Sequence, residues 1–487
     1  MLTRLKVSGF KNLVDVDVSF GPFTCIAGGN GVGKSNLFDA ILFLSALAEK
    51  PFMDAAMLVR DNNGTPSAIK SLFHRHGDNY DNKMTFETEM IVSKKGIDDL
   101  GQEVKASNTF LRYSLELGFN EDKGGIELLR EELDPIELGD ASNHILFPHE
   151  KVWLDSIVIG ESASSLISTK KNEFGAYIET RVEHGDDFDE RVFHILAKSI
   201  MTKSLPRTML SSHRINVAET PTVLMAKKEM QSWRLLLLDP LALRKSDDIK
   251  FNTPTQLGKD GSHLPSTLYN LSKANGNDES RVYQALANRL SELIDDVSEI
   301  SVDRDEKREL MTLELTDRKG TKFAARDLSD GTLRFLAAAV IEADEQMQGL
   351  LCIEEPENGI HPARIPAMIK LLKYIAVDAR LPVEEGNPLR QVIINTHSPA
   401  VVAQVPDDTL IIAELRETIK DKKRFKIARF NWLADTWRAD NQPTIRPVDK
   451  GTILTYLNPV AYESETNSDR VIDREDLQKY LPSYSED

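Results

Sequence analysis

The chain has 487 residues, 28% of them charged and 41% hydrophobic, which is ordinary for a water-soluble chain long enough to hold two or more lobes. A net charge of −17 excludes nucleic-acid binding through the average surface, so any such contact needs a local basic face. Two cysteines in apolar runs, Cys25 and Cys352, suit buried thiols in a reducing cytoplasm, and the sequence shows no Cys-x-x-Cys pair or other zinc spacing and no run near the roughly 18 apolar residues of a membrane span; because Met1-Leu2-Thr3-Arg4 leads straight into a strand pattern, a signal peptide is not expected.

The first residues, Leu2 to Val7, alternate apolar and polar and predict a strand. Gly9-Phe10-Lys11-Asn12-Leu13 breaks it, and Val14 to Phe20 alternates again. Phe23-Thr24-Cys25-Ile26-Ala27 is continuously apolar, as a buried strand is. Then come Gly28-Gly29-Asn30-Gly31-Val32-Gly33-Lys34-Ser35 and a helical pattern from Asn36 to Leu44. Strand, glycine loop and helix is the context a phosphate-binding loop requires. Its glycines let backbone N–H groups point inward, and the helix N-terminus adds partial positive charge. On this reading Asn30, Gly31, Val32, Gly33, Lys34, Ser35 and Asn36 bind the phosphates of ATP, with Lys34 on the β/γ-phosphates and the Ser35 hydroxyl on Mg²⁺.

Further along, Met84–Val92, Phe110–Phe119 and Glu127–Leu133 predict an antiparallel layer. Helices are expected over Phe188–Ala197 and Thr222–Trp233, with no sustained heptads to support a coiled-coil arm. Arg234–Leu238 predicts a buried strand, Leu264–Lys273 and Glu279–Ile294 helices, and Glu299–Asp303 and Met311–Leu315 a strand pair.

Three later motifs carry chemistry. Leu350-Leu351-Cys352-Ile353 ends in Glu354-Glu355, the Walker B pattern. Glu354 is the metal candidate. Glu355 is the catalytic candidate that polarises the attacking water. Leu328-Ser329-Asp330-Gly331 precedes a helical pattern, so the Ser329 hydroxyl, the Gly331 amide and a helix N-terminus make an anion site. Ile393-Ile394-Asn395-Thr396 leads to His397, a strand-end histidine and a second catalytic candidate.

With these motifs in this order the chain resembles the ABC-type ATPases, whose L-S-x-G signature lies just before Walker B. Glu354-Glu355-Pro356-Glu357-Asn358-Gly359-Ile360-His361-Pro362, followed by Asn395-Thr396-His397-Ser398-Pro399, narrows the likeness to the SMC/RecF-like and OLD-like group. Gly9-Phe10-Lys11-Asn12, and Asp239-Pro240 with Arg244, match that group too. The resemblance covers most of residues 1–415. It implies an α/β fold, a P-loop NTPase of ABC/SMC-head type with an antiparallel β layer and a mainly helical insert. The implied divisions are an N-terminal half over 1–160, the insert over 161–233, a C-terminal half over 234–415 and an extension over 416–487. It also implies that Ser329 and Gly331 contact ATP held by a second copy, that His397 senses the γ-phosphate, that Lys11 and Asn12 approach the nucleotide, and that Asn358, Gly359 and His361 face the partner copy.

OLD-like nucleases carry a C-terminal Toprim domain with a D-x-D pair, and the residues after His397 contain none. The expectation is therefore an ATP- and Mg²⁺-dependent ATPase in the cytoplasm. It pairs with itself and controls a separate effector, a nuclease, as in bacterial anti-phage systems, with no membrane partner. Two other readings stand beside it: a RecF-like repair ATPase that binds DNA directly, and a slow-turnover scaffold. The basic segment Lys420–Lys426 with Arg429, and the group Lys203, Arg207, His213 and Arg214, are the candidate nucleic-acid patches.

Overall fold

The computed structural model describes residues 1–59, 65–98, 100–160, 164–173, 175–181, 183, 200–212, 220–249, 254–274, 279–294, 296–420, 423–442, 447–448 and 451–453. Its elements in chain order begin with β1 (Leu2–Ser8), β2 (Val16–Ser19), β3 (Phe23–Ala27), α1 (Lys34–Leu47), β4 (Arg75–His76), β5 (Asn79–Tyr80), β6 (Lys83–Ile91), β7 (Phe110–Asn120) and β8 (Gly125–Pro135). The 161–233 stretch supplies β9 (Ile167–Asn172), β10 (Gly175–Thr180), β11 (Ile200–Met201) and α2 (Pro221–Gln231). Then follow β12 (Arg234–Leu236), α3 (Leu264–Ala274), α4 (Glu279–Ser291), β13 (Val297–Asp305), β14 (Leu310–Asp317), β15 (Lys322–Ala324), α5 (Asp330–Ala343), β16 (Gly349–Glu354), α6 (Ile365–Ile375), β17 (Arg390–Thr396), β18 (Leu410–Lys420), β19 (Lys423–Asn431) and α7 (Trp437–Asn441).

The central sheet runs β12-β16-β17-β3-β18-β19, parallel except for its last strand. Its apolar runs are continuous because both faces are covered. Along β16, Leu350 and Cys352 enter one core while Leu351 and Ile353 enter the other. In β17, Ile393 splits from Val392 and Ile394 in the same way. The first core lies under α1 and the second under α5 and α6. Over α1 lies an eight-stranded antiparallel sheet, β11-β10-β9-β8-β7-β6-β1-β2. Phe10, Phe43 and Phe86 pack as a ring trio with centroids 5.7–6.0 Å apart. That trio fastens the Gly9–Asn12 turn to α1 and so sets its height against the glycine loop. The fold is a mixed α/β one, with the glycine loop between β3 and α1 at the end of a mainly parallel sheet and a large antiparallel sheet layered over it.

Two boundaries differ from expectation. The 161–233 stretch, expected to be mainly helical, contributes β9 to β11 to the antiparallel sheet among its described residues. Ile167 and Ile178 alternate into the core, and β9 covers what would otherwise be the exposed edge of β8. The helix expected over Phe188–Ala197 lies outside the described residues, as do His213 and Arg214. The division at 415/416 cuts through β18. The β18–β19 hairpin belongs to the ATPase sheet, because its first residues pair with β3.

Beside the β8–β9 pairing, a buried carboxyl group of β8 ties down the residues after β11. Glu131 is fully buried and accepts from the N–H groups of Met209 (2.6 Å) and Leu210 (2.9 Å) and from the Tyr113 hydroxyl (3.0 Å). Burial pushes its pKa up to about 7, against the opposing pull of these donors. The unfolded chain titrates lower, so the folded state holds the extra proton between the two values. Stability is therefore greatest below pH 4.5 on this account and falls as pH rises through about 7, by up to about 3 kcal/mol. Chemical denaturation from pH 4.5 to 8 should show this slope in the wild type and lose it in Glu131→Gln.

Candidate active site

The glycine loop leaves β3 and enters α1 without a side-chain cap, because the N-cap residue is Gly33 at φ 111°. No acidic residue sits in the first turn of α1, so its free N–H groups face the loop's cavity uncompensated. Glycine is required where strands press on the loop. A Cβ at Gly28 would lie 2.5 Å from the Ala413 carbonyl of β18, and one at Gly33 would lie 2.7 Å from the Ala428 side chain of β19. At Gly31, by contrast, a Cβ would meet nothing within 4 Å, which is the open side of the cradle.

Asn30 to Asn36, with Glu354, Glu355 and Asn395, line a cavity of about 160 Å³. Larger clefts lie elsewhere on the surface, away from these groups. Lys34 donates to the carbonyls of Gly28 (2.6 Å) and Gly29 (2.7 Å). Burial holds its pKa below the usual lysine range, while the charges of Glu355, Glu354 and Glu357 pull it back up. A polyphosphate entering the cradle would supply the anionic partner that these carbonyls stand in for. Ser35 offers a hydroxyl and Glu354 a carboxylate on the same cavity, a hard-oxygen donor pair suited to Mg²⁺.

The acids reach the cradle through strand register. In the parallel pair β16–β17, Glu354 stands opposite Asn395. Asn395 donates to Glu354 Oε1 at 3.3 Å, and its own carbonyl and side-chain oxygens accept from the Glu355 N–H at 3.0 and 3.2 Å. Glu355 lies at φ 45°, in the left-handed region. Its carboxylate accepts from Asn358 at 2.8 Å and pairs with His397 Nδ1 at 2.7 Å. Burial pushes Glu355 up, but these hydrogen bonds and the charges of His397 and Lys34 outweigh it, so its pKa lies below the usual carboxylate range. It is ionised at neutral pH, as a group that accepts a water's proton must be.

Two residues here escaped the sequence reading. Asn395 was visible as the first polar residue to interrupt an apolar run. Glu357 is buried, accepts from the Thr396 hydroxyl at 2.5 Å and has its pKa raised chiefly by burial. Its signal was an acid placed directly after Glu355-Pro356.

The remaining candidates lie apart from the cavity. Asn12 accepts from Asn36 at 2.8 Å and packs against Gly33, behind the loop. Lys11 is paired with Asp39 of α1 at 2.7 Å rather than lining the cradle. Ser329 caps α5, accepting from the Thr332 N–H at 3.2 Å, and is exposed. Gly331 lies so close to the loop after Walker B that a Cβ there would be 2.3 Å from the Gly359 carbonyl. Arg334 binds the carbonyls of Asn358 and Leu238, and Arg244 binds Asp330 at 2.5 Å and the Leu328 carbonyl at 2.9 Å. Signature, post-Walker loop and the Asp239–Arg244 turn therefore form one surface, and Ser329 and Gly331 are not among the residues lining the cradle.

The family described as "AAA domain, putative AbiEii toxin, Type IV TA system" matches residues 185–403, and one described as "AAA domain" matches residues 4–143. No curated protein matches the chain. Solved structures to which it is similar include an SMC head bound to the C-winged helix domain of ScpA, at 14% identity over 89% of this chain and 98% of that one, with a TM-score of 0.42. Another is the SMC head domain from Thermotoga maritima, at 12% identity over 89% and 98%, with a TM-score of 0.36. A third is the Smc head with an extended coiled coil bound to the C-terminal domain of ScpA, from Pyrococcus furiosus, at 11% identity over 88% and 96%, with a TM-score of 0.38. The first match contains Glu354, Glu355 and His397, the second contains the glycine loop, and the strand order brings the two stretches to one cradle: together they support an ATPase domain of the AAA description.

Proposed function

We propose that the chain is an ATP-hydrolysing switch. Two copies would close around two ATP molecules, and the closed state would control a separate effector, a nuclease in anti-phage defence. The observation that carries this is the split between a cradle with its acids and an exposed Ser329 outside it. At about 160 Å³ the cradle is smaller than the usual small-molecule pocket, as a site finished by a second surface would be. A C2 arrangement satisfies both copies at once, each lending its signature to the other. The toxin–antitoxin description attached to the match over 185–403 favours a chain that works with a second polypeptide.

On this reading the loop N–H groups and Lys34 hold the triphosphate. Mg²⁺, held by Ser35 and Glu354, would offset phosphate charge. Glu355 takes the proton of the attacking water. His397 keeps one Glu355 oxygen fixed and Asn358 the other, so the base is oriented before substrate arrives. Direct DNA binding is less favoured. In the β18–β19 hairpin Glu417 stands opposite Lys426 on one face and Glu414 opposite Arg429 on the other, so each face carries an acid beside a base.

Glu355→Gln should cut turnover by about 100-fold or more while ATP affinity changes little. His397→Ala should cost about tenfold or more, and the double variant should be no slower than Glu355→Gln, because both act through one carboxylate. Single-turnover kinetics with a separate binding titration measures each term, and additive losses would break the assignment. Light scattering should show Glu355→Gln doubling in mass with ATP, and Glu355→Gln/Ser329→Arg remaining a monomer that still binds ATP. A mass that ATP leaves unchanged in Glu355→Gln would remove the sandwich.

A further inference from the structure

Behind the glycine loop, the β4–β5 hairpin carries a cluster that the ATPase reading does not use. The ligand-type atoms of His74, His76 and Asp81 all lie within 4.8 Å of one another, the one such group of three among the described residues. His74 is 2% exposed and His76 is 7% exposed. His74 Nε2 and His76 Nδ1 are buried with no hydrogen-bond partner, and His76 Nδ1 stands 3.6 Å from Asp81 Oδ1. Unpaired buried polar atoms are costly, and two of them on neighbouring imidazole rings beside one carboxylate call for a ligand there.

The tautomer of His74 sharpens this. Its Nδ1 lies 2.6 Å from the Lys11 carbonyl, an acceptor only, so Nδ1 carries the proton and donates. Nε2 is then a bare lone pair, buried and without a hydrogen-bond partner. A histidine that donates its other N–H to a backbone carbonyl is the usual support of a metal-ligating imidazole. The rest of the hairpin is firmly placed. The His74 N–H donates to the Gly9 carbonyl at 2.8 Å, the Phe425 ring of β19 packs 5.1 Å from the His74 ring, and the Lys423 stem lies over Gly77.

We propose that His74 Nε2, His76 Nδ1 and an Asp81 carboxylate oxygen form a site for a divalent transition-metal ion of the Zn²⁺ class, completed by water. Two imidazoles and one carboxylate suit Zn²⁺ or Co²⁺ rather than the hard-oxygen preference of Mg²⁺. Tetrahedral bonds of about 2.0–2.1 Å place ligand atoms about 3.4 Å apart, which the His76–Asp81 pair nearly meets already. The sequence spacing hides the site because the third ligand comes from across a turn. Its effect is mechanical: the ion fixes His74, His74 holds the Lys11 carbonyl, and the Lys11–Asn12 turn supports Asp39, Asn36 and Gly33 beneath the phosphate cradle.

The test uses untagged full-length protein, stripped with chelator and free of nucleotide, titrated with Co²⁺ and then Zn²⁺. One Co²⁺ per chain should bind with a visible d–d absorption and be displaced by Zn²⁺. His76→Gln and Asp81→Asn should each weaken binding at least about tenfold. Ser35→Ala should leave it unchanged, which separates this ion from one in the cradle. Circular dichroism checks that each variant is folded, and Asp81→Asn, at the edge of the cluster, serves if His76→Gln is not. No stoichiometric Co²⁺ in the wild type, or uptake that these two substitutions leave intact, would overturn the proposal.

Discussion

The site depends on how Glu355 is held. Its backbone sits in the left-handed region, where a residue with a side chain costs about 1–3 kcal/mol. The parallel register of β16 and β17 supplies the compensation. It brings Asn395 beside Glu354, and both Asn395 oxygens accept from the Glu355 N–H. The strained turn lifts the Glu355 carboxylate out of the strand direction and into reach of Asn358 and His397. Without that turn the acid would continue the alternation of β16 and point into one of the two cores. Sheet pairing, local strain and the charge state of Glu355 are therefore one arrangement.

The same sheet explains why the two halves of the sequence meet. β3 carries the glycine loop, β16 the acids and β17 the histidine, and all three run parallel as neighbours in the order β16-β17-β3. Their chemistry consequently gathers at one set of strand ends, where open α/β sheets bind ligands. The N-terminal antiparallel sheet covers α1 from the other side, so the loop is wedged between two packed layers. β18 and β19 press on Gly28 and Gly33 from the sheet edge. The signature helix α5 faces elsewhere, with Ser329 exposed and Gly331 closed down on the Gly359 loop. The start of α5 and the Asn358–Gly359 loop are thus packed together as one surface.

Most of this was legible because phosphate chemistry restricts both residue type and spacing. The glycine loop, the paired acids and the strand-end histidine were read at the positions where the structure brings them to one site. Three things were not legible, each for a physical reason. The 161–233 stretch hid its strands because a hairpin with one wet face, Ile167 and Ile178 inward and lysines outward, gives weak periodicity over a few residues. The 415/416 division failed because β18 is parallel-paired at its start and hairpin-paired at its end, so composition changes within one strand. The roles of Asn395, Glu357 and the His74–Asp81 cluster depend on register and on turns between strands, which no local pattern states.

Whether the signature of one copy completes the cradle of another is tested most directly by mixing two inactive chains. A Lys34→Ala chain keeps an intact signature but no working cradle, and a Ser329→Arg chain has the reverse. Each alone should be inactive. If the site is shared across a two-fold axis, a mixed pair contains one complete site, and an equal mixture should recover about a quarter of wild-type ATP turnover. A mixture no more active than its separate components would contradict the account.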